Sequence, residues 1–270
     1  MVNNQKEYSL AVVVLCCCSV FTEYLVKQPN DVIFPRERII CLIISLTINF
    51  VAVLLINKID YRSNKIRIIA AMIIICRVLI TIYRFCSFYN MFYSERIWGI
   101  IVLSLLIVVI VTKSGSIADR IYPMFVLINV VMILMIVILS LDKFSITNIT
   151  LTDMSVSFSV DKIWLFFDIV TIKLLVRDRT ERFIVQSRFL GISVGFMVFT
   201  TIIQGLCVKG DLLYSLSPLQ VLVQIISGKT IKRYDYIFTI LFTTNYFGAV
   251  ILYTLALKNL FCGDKCVEKT

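Results

Sequence analysis

The chain has 270 residues, of which 59% are hydrophobic and only 16% are charged. A soluble domain is roughly 45–50% apolar and about 25% charged, so this composition excludes a water-soluble domain and a disordered chain. The sequence contains no histidine, which excludes Ser-His-Asp and Cys-His catalysis as well as imidazole metal sites. The formal charge of +10 comes from basic residues in short gaps between apolar runs. That placement favours a membrane protein with cationic loops over a nucleic-acid-binding protein.

Nine apolar segments follow one another along the chain. They cover residues 9–26, 38–57, 67–88, 97–112, 121–141, 161–176, 189–208, 212–227 and 235–261. A helix needs about 20 residues to cross a bilayer, and segments two, three, five, seven and nine are long enough. The fourth, sixth and eighth are short or polar, which predicts discontinuous, tilted or protein-buried helices. The sequence therefore predicts a single integral membrane domain over residues 1–270, an all-α transmembrane bundle of about nine spans.

The basic residues in the connections predict the orientation of the bundle. With the N-terminus inside, thirteen Lys and Arg residues lie in cytoplasmic connections and six in outer ones. This bias predicts a cytoplasmic N-terminus. Because nine is odd, the C-terminal tail 262–270 is then expected outside.

Two connections have a distinct composition. Residues 142–160 are rich in Ser and Thr and alternate polar with apolar, so they form either an extended extracellular segment or a plain loop. Residues 177–188 resemble an amphipathic interfacial helix on the cytoplasmic side.

Polar residues inside the apolar segments need an explanation, because a charge at membrane depth costs roughly 2.5–3.5 kcal/mol on insertion scales. Arg77 lies in the middle of segment three and Asp168 in the middle of segment six. For these two residues, a solvated ligand pathway and an interhelical ion pair are equally compatible with the sequence. Uncharged groups such as Asn129 and Asn245 are expected to form interhelical hydrogen bonds.

Three motifs occur in order between residues 113 and 238. They are KSGSIADR at 113–120, LSPLQVLVQIISG at 216–228 and IKRYDYIF at 231–238. Together they resemble the endospore-germination permease family, the B-type subunits of spore germinant receptors, within the amino acid–polyamine–organocation (APC) transporter superfamily. The chain departs from that family at Gln224, where the family usually has Arg. It also lacks the glycines of the first and sixth spans, and the family's last span.

This resemblance implies a shortened LeuT-like, APC-type fold and a function as the transporter-like membrane subunit of a nutrient germinant receptor. Such a subunit senses an amino acid or similar small molecule in the inner spore membrane, with A-type and lipoprotein C-type subunits as partners. The alternatives are an amino-acid secondary transporter and a degenerate, non-transporting assembly subunit. The sequence has no motif for an enzyme, a cofactor or a metal site.

The resemblance also implies where a ligand binds. In this transporter fold the central cavity lies between spans one, three, six and eight. The candidate ligand-binding residues are Cys18, Ser19, Thr22, Arg77, Thr81, Asp168, Thr171, Gln220 and Gln224. Arg77 is the main candidate, because a buried guanidinium needs acceptors. If it pairs with Asp168, the cavity is expected to be neutralised and inert; if it faces an open cavity, an anionic or zwitterionic ligand is expected.

Overall fold

Helices account for nearly all of the computed structural model, which describes residues 2–25, parts of 44–58, 64–92, 97–113, 117–144, 164–176, 178–207 and 235–262. The helices with defined bounds are α1 (Val2–Leu25), α2 (Asn64–Phe92), α3 (Ile97–Lys113), α4 (Ile117–Ser140), α5 (Trp164–Leu175), α6 (Arg179–Cys207) and α7 (Asp235–Cys262). A short 3-10 turn, Leu141–Lys143, follows α4. No strand occurs within these ranges, which confirms the predicted all-α class.

Four helices are long and apolar enough to cross a membrane. Their apolar stretches are Lys65–Cys86, Arg120–Ser140, Arg179–Thr200 and Thr239–Phe261. The apolar parts described in α1 and α3 are shorter, Glu7–Thr22 and Ile101–Lys113. Segment eight, with Gln220 and Gln224, lies outside the described residues, as does most of the 142–160 connection.

The amphipathic stretch 177–188 is helical from Arg179 onward, but it is continuous with segment seven and is not a separate interfacial helix. Asp178 caps this helix, because its Oδ2 accepts a hydrogen bond from the Glu181 amide at 2.9 Å. A side-chain oxygen at this position satisfies an amide that has no partner within the helix. Asp178 therefore sets the start of α6 and separates it from α5.

Helices α1 and α7 form the centre of the bundle. α7 packs against α1, α2, α3, α4 and α5, and α1 also packs against α4, α5 and α6. The apolar stretch of α7 is 72% buried, whereas that of α4 is 17% buried. The outer helices expose large apolar side chains such as Leu79, Leu105 and Leu127. Apolar surface of this extent is typical of helices that face lipid.

The direction of α7 follows from its contacts with α2 and α4. Arg77 of α2 contacts Tyr253, whereas Phe85, two turns further along α2, stacks on Phe242. The residue numbers change in opposite directions, so α2 and α7 are antiparallel. In the same way, Asn129 of α4 contacts Asn245, whereas residues one to two turns later in α4 share a small cavity with Leu241.

Helices α1, α4 and α6 run in the same direction, which is opposite to that of α7. The final residues of α4 and α6, Ser140 and Cys207, lie together, so these helices are parallel. Phe21 of α1 stacks on Phe196 of α6, and Cys17 lies against Ser193, so α1 runs the same way. The start of α1 and the end of α7 therefore lie at the same face, unlike the expectation of a tail on the opposite side.

We expect cysteines introduced at Lys113 and Phe261 to react with a membrane-impermeant maleimide from the same side of the membrane. Both positions are exposed near helix ends. Only four residues connect α2 to α3, so these two helices are antiparallel and α3 runs in the same direction as α7. A cysteine at Asp142, exposed just beyond the opposite end of α4, is the control that reacts from the other side. Labelling of intact and opened membrane vesicles measures this. Opposite accessibility of positions 113 and 261 would contradict the assigned direction of α7.

Candidate functional site

Four polar side chains from four helices meet near the centre of the bundle. α1 supplies Ser19, α2 Arg77, α5 Asp168 and α7 Tyr253, and none of them is more than 3% exposed. We call these four residues the central polar cluster. A polar group so deeply buried is costly without partners, so its hydrogen bonds determine whether the cluster is stable.

Tyr253 links the two charged residues. Its hydroxyl accepts a hydrogen bond from Arg77 Nε at 3.0 Å and donates one to Asp168 Oδ1 at 2.8 Å. Arg77 and Asp168 also attract each other electrostatically. Because their formal charges cancel, the cluster has no net charge when both are ionised.

Ser19 completes the cluster from the side of α1. Its Oγ lies 3.1 Å from Asp168 Oδ1 and 3.3 Å from Oδ2, within donating distance of both. It also lies 2.5 Å from the Tyr253 hydroxyl oxygen. Each hydroxyl has one proton to donate, so the two hydroxyls and the carboxylate form one coupled network. If the Ser19 or the Tyr253 hydroxyl donates to a different acceptor, the hydrogen bonds open to the other hydroxyl change as well.

Two of the candidate threonines, Thr22 and Thr81, form hydrogen bonds within their own helices. Thr22 Oγ1 donates to the Cys18 carbonyl at 2.8 Å, and Thr81 Oγ1 donates to the Arg77 carbonyl at 2.9 Å. These are bonds to the preceding helical turn, which satisfy a buried hydroxyl locally. Thr171, one turn beyond Asp168, is fully buried.

Cys18 faces α7 at its closest approach to α1. A Cβ atom built on Gly248 would lie 2.6 Å from the Cys18 Cβ and 2.9 Å from its Sγ. Only a glycine at position 248 leaves room for the present side chain of Cys18. Small residues at such contacts let membrane helices approach closely, and Cys18 therefore has a packing role at this point.

The sequence predicted that Ser19, Arg77 and Asp168 belong to one site, but it did not predict Tyr253. The fourth helix of the site was expected to be segment eight, whereas Tyr253 belongs to segment nine. One signal was present: a tyrosine within an apolar run carries a hydroxyl that needs a partner when buried.

A second polar contact joins α4 and α7. Asn245 Nδ2 donates to Asn129 Oδ1 at 2.7 Å and to its own helix at Leu241 O, also at 2.7 Å. An interhelical hydrogen bond was expected for each of these residues, and the structure shows that they are each other's partners. Because a bond of this kind between membrane helices contributes about 0.6–2 kcal/mol, the pair acts in packing.

Within the part of the chain that the structure describes, no group of three or more Cys, Asp or Glu residues is arranged to hold a metal ion. Other polar side chains, including Lys173 and Gln186, are also buried in the described helices, but the central polar cluster brings together a guanidinium, a carboxylate and two hydroxyls. Four helices are apolar and long enough to span a bilayer. The bundle also buries the ionisable residues Arg77 and Asp168 between helices, as membrane proteins do with charges at membrane depth. These features define an integral membrane protein. Comparison with protein-family models, curated proteins and solved structures finds no match for this chain.

Proposed function

We propose that this chain is the transporter-like membrane subunit of a nutrient germinant receptor and senses an amino acid or a similar small molecule. The observation that carries the proposal is the central polar cluster. It joins the helices of segments one, three and six, which are three of the four spans that the family resemblance places around the ligand. The proposal includes a shortened LeuT-like arrangement, with an even number of spans because α1 begins and α7 ends at the same face.

The chemistry of the cluster suits a zwitterionic ligand. Arg77 and Asp168 carry opposite charges and are separated by the Tyr253 hydroxyl. The guanidinium of Arg77 matches the carboxylate of an amino acid, and the Asp168 carboxylate matches its ammonium group. Such a ligand would replace the hydrogen bonds made through Tyr253 with its own charged groups.

The cluster is closed in this structure. All four side chains are buried, and neither of two cavities found elsewhere in the described helices is lined by them. Ligand entry therefore requires movement of one or more of the helices that supply the cluster. A movement of this kind, driven by ligand binding, is how a transporter-like subunit would pass a signal to its partners.

Orientation and partners belong to the same proposal. Described basic residues such as Lys65, Lys113 and Arg179 lie near helix ends on the face where α1 begins. The positive-inside rule makes that face cytoplasmic. The membrane is the inner spore membrane, and the partners are the A-type and lipoprotein C-type receptor subunits.

A germination assay tests the proposal. Spores lacking their own B-type subunit would carry this chain with its partners, and the response to individual amino acids would be followed together with the abundance of the chain. We expect Arg77→Gln to abolish the response and Arg77→Lys to reduce sensitivity about tenfold or more, because a charge-assisted hydrogen bond is lost or misplaced. Arg120→Gln, an exposed basic residue, is the control. Normal responses at normal abundance in both Arg77 variants would contradict the site.

The degenerate assembly subunit is the second candidate. The observation that favours it is the internal neutralisation of Arg77 by Tyr253 and Asp168. In that case no amino acid produces a response, and Arg77→Gln lowers the abundance of the chain and of its partners together. An amino-acid transporter would instead show uptake of labelled substrate into proteoliposomes that contain the chain alone.

A further inference from the structure

An apolar groove of about 470 Å³ lies between α2, α3 and α7. Its walls include Ile82 of α2, Leu105 and Val108 of α3, and Val250 and Leu257 of α7. Two of the polar side chains in the wall, Ser104 and Tyr246, form a hydrogen bond with each other at 3.0 Å. Because these two polar groups bond to each other, the surface of the groove beside them is mainly apolar.

The groove opens toward the surface that faces lipid. Leu105 at its edge is 60% exposed, and Phe261 at its far end is 72% exposed. α2 and α7 contain spans that are long and apolar enough to cross the bilayer, and α3 packs beside both. An apolar opening at this depth meets hydrocarbon chains before it meets any solute from water.

Among the described residues that line the groove, Lys258 is the one with a charge, and none is acidic. It lies in the last two turns of α7, beside the α3 residue Thr112, which precedes the helix end at Lys113. The groove thus runs from an apolar middle to a cationic end near the membrane surface. A half-buried lysine at such a position reaches toward the headgroup layer.

We propose that this groove binds an anionic phospholipid, with one acyl chain between α2, α3 and α7 and the phosphate against Lys258. The charge of Lys258 selects an anionic headgroup over a neutral one. The apolar walls of the groove select the chain. This site is separate from the central polar cluster, and it does not depend on the proposed sensing function.

Lipid binding to the delipidated full-length protein in detergent tests the proposal. The probes are phosphatidylglycerol and phosphatidylcholine with identical acyl chains, and native mass spectrometry measures the affinity of each. We expect phosphatidylglycerol to bind about fivefold more tightly, the preference expected for one basic residue near anionic lipid. Lys258→Gln should remove this preference, whereas Lys258→Arg should keep it. Lys113→Gln, exposed at the same end but outside the groove lining, should leave it unchanged.

A groove-filling variant and a cross-linking experiment test the acyl chain separately. Val108→Phe should weaken the binding of both lipids, with the melting temperature measured to confirm folding. A phosphatidylglycerol with a photoreactive group in its chain should label peptides of α2, α3 and α7 in the unmodified protein. Equal affinity for the two lipids, or equal labelling of α4 and α6, would overturn the proposal. Dimerisation that Val108→Phe abolishes would assign the groove to a second copy of the chain instead.

Discussion

Replacing Arg77 with Leu is expected to destabilise the protein by about 3–5 kcal/mol, because it leaves the Asp168 carboxylate buried without its opposite charge. Arg77 is 3% exposed and Asp168 is fully buried, so water cannot compensate for the loss. Unfolding of the purified protein in mixed micelles measures the free energy. Arg120→Leu, on the exposed surface of α4, is the matched control and should change it by less than about 0.5 kcal/mol.

The double variant Arg77→Leu/Asp168→Leu separates stability from function. Two apolar residues leave no buried charge, so the double variant should recover most of the stability lost in either single variant. If the stability losses of the two single variants instead add up in the double variant, Arg77 and Asp168 are not coupled through Tyr253. A double variant that folds normally but gives no germination response would show that the charges serve function, since the fold does not need them.

Hydropathy predicted most of the fold because the bilayer imposes one strong constraint. A chain in lipid must satisfy its backbone hydrogen bonds internally, so long apolar segments become helices. The segment ending at Leu175 and the one ending at Cys207 are helical as predicted. Hydropathy contains no information on which helices are neighbours. It therefore did not reveal that α1 and α7 occupy the centre.

The candidate site was predictable to the extent that charges reveal it. Arg77 and Asp168 stand out in apolar segments, and their cost in lipid implied a partner for each. Tyr253 did not stand out, because tyrosine is common in apolar helices and at membrane interfaces. Its role depends on the antiparallel packing of α2 and α7, which brings residues 77 and 253 together across 176 positions of sequence.

Gly248→Ala is expected to destabilise the contact between α1 and α7 by about 1–3 kcal/mol or more. The added Cβ would lie 2.6 Å from the Cys18 Cβ, a distance that requires one helix to shift. Overpacking of this kind forces backbone movement in a close-packed interior. Since Ser19 and Tyr253 lie next to this contact along α1 and α7, the same shift should separate their hydroxyls, which are now 2.5 Å apart.

Gly195→Ala on α6 is the matched control, because nothing lies within 4 Å of the added Cβ. It should be neutral or stabilising, as alanine favours helix by about 1 kcal/mol over glycine. Cys18→Gly removes the two atoms that would lie within 3 Å of the new Cβ and leaves only an ordinary contact with Leu15 at 3.8 Å. It should therefore rescue Gly248→Ala apart from its own cost in helix propensity. Thermal unfolding of the four proteins in the same detergent measures these differences. If Gly248→Ala unfolds at the same temperature as Gly195→Ala, α1 and α7 are not in the close contact that holds the central polar cluster together.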